Sequence, residues 1–209
     1  RQEVQQQLKL SHQQLEQALN GTVNALANTL AQRDAYTYNH QKRVTKLALA
    51  IAENMEISEE KEEGLRVAAT IHDIGKIKVP AEILSKPIEL SETEMKLVKT
   101  HAQTGYEILK DIDFPWPVAK IVHQHHERLN GSGYPQGLSD SEILIEAKIL
   151  AVADVVEAMS SHRPYRPALG IEKALAEIKE NKNELYDPEV VKICINLFDN
   201  GFELKVNGV

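Results

Sequence analysis

Polar side chains recur on the apolar faces of this chain, and that recurrence constrains the fold more than any other feature. His40 sits four residues before Val44 and shares a face with Leu47 and Ile51, while His72 follows Leu65, Ala68 and Ala69 on one stripe. His101 falls in register with Leu97, Val98 and Ile108, His125 with Ile121 and Leu129, and Asp154 with Ala147, Leu150, Ala151 and Ala158. These spacings are those of one face of an α-helix. Five helices are therefore expected to aim an imidazole or a carboxylate at the core side. Burying one such group without a partner costs on the order of a few kcal/mol, and far more if it is charged. A single histidine of this kind reads as a satisfied core residue. Five share one solution, a metal centre in the middle of the bundle, built from facing side chains.

The segments that carry these residues read as a procession of helices. Apolar positions recur at helical period over 37–55. Ser58 opens a second helix as N-cap, with Glu59 and Glu60 in the turn where the helix dipole favours acids, and that helix is expected to reach Gly75. Ser91 to Glu94 has the form of a capping box and opens a helix toward Leu109. A fourth helix follows the corner from Phe114 to Pro117 and stops at the NGSG turn; others are expected over 141–161, 171–181 and 188–198. No alternation of strand period competes, so the expected class is all-α, a multi-helix bundle with an extended N-terminal helix. That leading stretch is rich in Gln, lacks Pro, and spaces Val4, Leu8, Leu15, Leu19, Val23, Leu26 and Leu30 in a narrow stripe close to a heptad seam. It reads either as a helix packed on its own domain or as a signalling and dimerising helix. The second reading assigns 1–32 to an upstream module and 33–209 to the metal-dependent domain, with a homodimer formed through the helix.

Composition narrows the function classes. A net charge of -7 argues against a general DNA-coating surface, which needs positive charge, but leaves room for a small anion held by local cations. Cys194 is the sole cysteine, which removes any intramolecular disulfide or thiolate cage and makes a reducing cytoplasm the simplest compartment. No apolar run approaches the ~18 residues of a membrane span, so direct membrane contact is not expected of this stretch. The chain opens on Arg1 in place of Met, and is expected to be a fragment of a longer protein with room for an upstream sensor or membrane segment.

Two consecutive pairs sharpen the metal reading. His72-Asp73 and His125-His126, if helical, point about 100° apart. Such a pair packs poorly but reaches two adjacent metals, or two positions on one, and Asp73 with its two oxygens is the natural bridge.

HDIGK at 72–76, KVPAEILSKP at 78–87, His101, and HHERLNGSGYP at 125–135 together resemble the HD-GYP domains, a branch of the HD phosphohydrolase superfamily. The resemblance covers about residues 30 to 200 and extends through AKILAVADVVEAM and SHRPYRPAL. It implies an HD-domain-like bundle whose metal centre hydrolyses cyclic di-GMP, in bacterial second-messenger signalling, to linear pGpG and in some cases on to GMP. By position, His40, His72, Asp73 and Asp154 correspond to the ligands of one metal. His101, His125 and His126, with Asp73 bridging, correspond to those of its neighbour. Tyr36 stands where some members carry a glutamate for a third metal, so two divalent ions are expected. The nitrogen and oxygen donors favour iron or manganese and admit zinc, nickel or others. Two metals roughly 3.5–4 Å apart can activate water for in-line attack on phosphorus. Lys76 corresponds to the lysine beside the metals and scissile phosphate, and Lys76 with Asp73 is expected to carry the chemistry. Arg163 and Arg166 correspond to substrate-binding positions, where a planar fork suits phosphate or guanine. Ile88 departs from the Gly common after Lys-Pro.

The GSGYP turn has three readings: a structural stop that fixes His125 and His126, a wall of the pocket through Tyr134, or a docking loop for a GGDEF-type domain. Glu127 is expected to orient an imidazole. His12, His123 and His162 are left outside the ligand set, and Cys194 is expected to pack in a late helix. Two rival functions stand beside the enzyme: a silent cyclic-dinucleotide receptor relaying occupancy through the N-terminal helix, and a hydrolase of a nucleotide monophosphate or another cyclic dinucleotide.

Overall fold

A computed structural model of the chain describes residues 2–31, 35–162 and 168–205, without the side chains of 12, 16, 31 and 35–38. Among the described residues the structure is α-helical, with no strand beyond two isolated bridges. The helices are α1 (Gln2–Ala31), α2 (Ala35–Asn54), α3 (Glu59–Ile71), α4 (Ala81–Leu84), α5 (Glu92–Lys99), α6 (His101–Leu109), α7 (Val118–Gln124), α8 (Ile145–Ser160), α9 (Ile171–Glu180) and α10 (Pro188–Asp199). Two 3-10 turns, Ile74–Lys78 and Asp140–Glu142, precede α4 and α8.

The apolar stripes drive the assembly. α2 lies against both α3 and α8, and Val44, Leu47, Ala48 and Ile51 vanish completely from solvent there. Leu65, Ile121, Ile149 and Leu150 bring α3, α7 and α8 into the same core, which α9 and α10 close with Ile178, Val190 and Cys194. Leu150 and Ile149 sit on different sides of α8, a helix apolar nearly all round and correspondingly central. Trp116 of the corner before α7 is seated on Gly64 of α3, where an added Cβ would lie 2.8 Å from the Trp116 Cβ.

Helix ends match the local chemistry in places and override it in others. Ser91 and Glu94 form the expected capping box of α5, and Asp187 caps α10 ahead of Pro188. Ser58 makes no side-chain cap. The expected single helix of 91–109 is broken at Thr100, whose hydroxyl donates to the Leu97 carbonyl at 2.7 Å. Leu97 and Ile108 are left at 38% exposure, so they do not share the buried face with His101.

α1 behaves as two halves. Val23, Ala27 and Leu30 are buried against α2 and α3, whereas Val4, Leu8 and Leu15 are each about 70% exposed. α1 also touches the 3-10 turn Ile74–Lys78.

Candidate metal centre

Three histidines converge on the interior from helix ends. α3 stops at Ile71, one residue short of His72, and α7 stops at Gln124, one short of His125. The expected continuations to Gly75 and to the NGSG turn do not form, so neither consecutive pair lies within a helix. His101 opens α6 after the break at Thr100. In each case the ring Nδ1 lies against the carbonyl three residues back: His72 on Ala69 at 2.7 Å, His101 on Val98 at 2.7 Å, His125 on Val122 at 2.6 Å. A carbonyl only accepts, so Nδ1 carries the proton and Nε2 turns its lone pair inward. Helix ends supply such carbonyls because their last turn has no following N–H groups.

The chain then folds these ends together. After His72, Asp73 leaves the helical region (φ -90°, ψ 6°) and the backbone enters the 3-10 turn, which presses on the start of α6. Gly75 makes that approach possible: a Cβ there would lie 1.9 Å from the His101 carbonyl oxygen and 2.6 Å from the Gly105 nitrogen. The result sets the two oxygens of Asp73 toward different partners. Oδ2 lies 3.7 Å from His40 Nε2 and 3.6 Å from His72 Nε2, while Oδ1 lies 3.6 Å from His101 Nε2. Asp154 divides likewise, with Oδ1 3.2 Å from His40 Nε2 and 4.0 Å from His72 Nε2, and Oδ2 4.0 Å from His126 Nδ1. Two groups emerge among the described residues, His40 with His72 and Asp73, and His101 with His125 and His126; within each the donor atoms lie within 4.8 Å of one another.

The donor set fits a cation. Nε2 of His101 and of His125 face each other at 3.3 Å, each with its proton committed to Nδ1, and buried Nε2 of His72 has no hydrogen-bond partner. Lone pairs opposed in a dry interior repel, and such a cluster needs positive charge between its members. Protonation does not supply it: burial pushes the imidazoles of His72, His101 and His126 down, and that of His125 down to about 3. The carboxylates remain charged. Burial opposes ionisation of Asp73, but the Lys76 ammonium and the surrounding imidazoles hold it well below the usual carboxylate range. Asp154 stays low against the same opposition through its hydrogen bond and attraction to His40. The clusters could hold divalent metal, and soft-sulfur metals have no ligand here.

Around this core sit the cations and the aromatic ring. Lys76 Nζ donates to Asp73 Oδ2 at 2.6 Å. Tyr134 stacks on His126, ring centroids 4.7 Å apart, and stands edge-on to His101 at 6.4 Å. Burial raises its phenol pKa, so it is a proton-bearing donor. Lys99 Nζ lies 5.1 Å from the Tyr134 ring centroid, a cation that no motif of the sequence marks. Arg163, Arg166 and the Tyr36 side chain lie outside the described residues.

One acid does work other than expected, and another takes the role foreseen for it. Glu127 is hydrogen-bonded to no imidazole among the described residues. Its buried carboxylate accepts the backbone N–H groups of Gln136, at 2.7 Å, and Leu138, at 3.0 Å, and so hangs the GSGYP loop beside the histidines. Gly133 lets that loop close, since a Cβ would meet the Glu127 Cα at 2.4 Å. The acid that does back an imidazole is Glu157, fully buried on α8 and bonded to His40 Nδ1. The sequence carries a signal for it: Glu157 lies three residues after Asp154, on the same side of a largely apolar helix. His123 turns away, with Nε2 2.7 Å from Gln103 Oε1 and its ring stacked on Tyr106.

A family model described as HD domain matches residues 24–190. The chain belongs to the HD domain family. A cyclic di-GMP phosphodiesterase response regulator, RpfG, of Xanthomonas campestris pv. campestris is 39% identical over 190 residues, covering 90% of this chain and 50% of the relative. A 3'3'-cGAMP-specific phosphodiesterase of Vibrio cholerae is 37% identical over 183 residues, covering 86% of this chain and 40% of the relative. This HD domain thus spans half or less of the length of these curated relatives. The solved structure of a HDG"Y"P protein from Bdellovibrio bacteriovorus superposes with a TM-score of 0.66 at 20% identity, covering 88% of this chain and 62% of that one, a likeness of fold.

Proposed function

We propose that this HD domain is a metal-dependent phosphodiesterase that opens cyclic di-GMP to linear pGpG. The observation that carries the reading is Asp73, whose two oxygens face two separate imidazole groups. Relatives named as cyclic-dinucleotide phosphodiesterases support the substrate class. Our reading places two divalent ions, iron or manganese, one on His40, His72, Asp73 and Asp154 and the other on His101, His125, His126 and Asp73. Bound there, they would acidify a water and neutralise charge on the phosphate.

The remaining parts follow from this chain's own residues. Water adds to phosphorus, the bond to the ribose 3′-oxygen breaks, and that oxygen takes up a proton. Lys76 places its ammonium beside the centre, where a phosphate oxygen gains charge as the reaction proceeds. In a chain of net charge -7 this attraction is necessarily local. Lys99 adds a cation on the Tyr134 side, and Tyr134 packs inward on His126, which favours a pocket role for the GSGYP loop over docking of a GGDEF-type domain. Arg163 and Arg166 would complete the grip on the substrate. The exposed stripe of Val4, Leu8 and Leu15 supports a homodimer through α1, and an intracellular messenger as substrate would place the domain in the cytoplasm.

The test is turnover of cyclic di-GMP by protein loaded anaerobically with iron or manganese. A linear dinucleotide is expected, with activity lost by at least about a thousandfold in His72→Ala or Asp73→Ala. Tight binding with no turnover would leave a receptor instead. The Vibrio relative supports a second reading on the substrate, and cyclic GMP-AMP belongs in the same assay.

A further inference from the structure

Four of the histidines that bring Nε2 to the centre have Nδ1 on a protein oxygen, and these four are not held alike. His72, His101 and His125 each rest Nδ1 on a backbone carbonyl. His40 alone rests it on a carboxylate, Glu157, which is wholly buried. That carboxylate is itself clamped. Arg43 brings Nε to Oε1 at 2.6 Å and a terminal nitrogen to the same oxygen at 2.6 Å, and Ser161 donates its hydroxyl at 2.7 Å. The Ser161 N–H also donates to the Glu157 carbonyl at 3.0 Å. One acid therefore gathers α2, α8 and the first residue of the segment leading to Arg163 and Arg166.

A carboxylate behind an imidazole fixes its tautomer and orientation and raises its basicity, more strongly than a neutral carbonyl does. On the His40 side, two further carboxylates approach within 3.7 Å, those of Asp73 and Asp154. The His101, His125 and His126 group has carbonyl-backed or stacked rings, a shared Asp73 oxygen at 3.6 Å and the second Asp154 oxygen no nearer than 4.0 Å, with no carboxylate behind any of its rings among the described residues. The geometry points to Glu157 as a positioning residue that sets metal capture at the His40 half of the centre and leaves the other half untouched. The two halves are thus built for unequal affinity. This rests on the reading that the centre holds divalent ions, but not on the identity of the substrate.

The experiment is titration of the metal-stripped protein with Mn2+, with free ion followed by its electron paramagnetic resonance signal. Wild type is expected to take up two equivalents with distinguishable affinities. In Glu157→Gln one affinity falls by roughly 10–100-fold and the other stays within about twofold. Ser161→Ala, which removes a single partner of the carboxylate and spares the fold, weakens the same affinity by roughly two- to fivefold. Equal weakening of both equivalents, or of neither, overturns the assignment. Two-equivalent uptake without cleavage of cyclic di-GMP would remove the phosphodiesterase reading and leave this inference standing. A wild-type protein that takes up no Mn2+ would overturn the metal centre beneath both.

Discussion

The pairs His72-Asp73 and His125-His126 begin alike and are secured differently. Each follows the last residue of a helix, and each starts with a histidine whose Nδ1 lies on the carbonyl three residues back. Beyond that point the first pair is locked by contact: the turn after Asp73 is pressed so closely on α6 that Gly75 has no room for a Cβ. The second is locked by polarity, through a loop hung on the Glu127 carboxylate by two backbone N–H groups. Helix ends aim the rings in both cases. What differs is how the exits are held, and a steric lock fails all at once where a polar lock can fail by degrees.

The contrast can be broken from either side. Gly75→Ala should have the largest effect, because the new methyl would fall 1.9 Å from the His101 carbonyl oxygen and part Asp73 from His101. Urea denaturation is expected to report a loss of about 3 kcal/mol or more, in the upper range of overpacking, with the metal centre lost alongside. A milder result than for the Glu127 variant would erase the distinction between the locks.

Glu127→Gln comes next. A buried amide can accept one of the two N–H groups but offers its own donor to the other, so a loss of roughly 1–3 kcal/mol is expected. The loop should loosen while the bundle holds, with Tyr134 fluorescence and amide exchange at Gln136 and Leu138 reporting the change. Unaltered exchange there would mean that the carboxylate does not secure the loop.

A change of pH tests the burial of the rings on both sides of the comparison at once. In metal-free protein the rings of His72, His101, His125 and His126 resist protonation when folded, because burial depresses their pKa values. Unfolded, they bind a proton near the ordinary histidine pKa of about 6.5. The unfolded state therefore holds more protons as pH falls below that value, and stability falls with it. Chelated protein should melt several degrees lower at about pH 5 than at about pH 7. Bound metal should flatten this dependence, since a coordinated nitrogen cannot take the proton. A melting temperature indifferent to pH without metal would contradict the burial of these rings.

Much of this arrangement is legible before folding, because helical period alone places His40, His72, His125 and Asp154 on apolar faces. Helix ends are less legible. His72 and His125 close their helices with no glycine or proline beside them, so periodicity runs on past the true end. Gly75 reads as a helix stop, whereas its missing side chain serves a contact with α6, a partner distant in sequence. The break at Thr100 depends on a hydroxyl turning back on its own helix. Glu127 and Glu157 show the same limit from the polar side: the sequence does not say which group satisfies either carboxylate, a loop backbone for one and an imidazole on a distant helix for the other.

The central claim is that the converging imidazoles and carboxylates form a centre for divalent ions. Elemental analysis of freshly purified protein tests it most directly. About two equivalents of a first-row divalent metal per chain are expected, as in two-metal hydrolytic sites, with a marked fall in Asp73→Ala, which removes the shared oxygens. Folded wild-type protein with no metal above trace, after anaerobic purification with iron and manganese supplied, would contradict it.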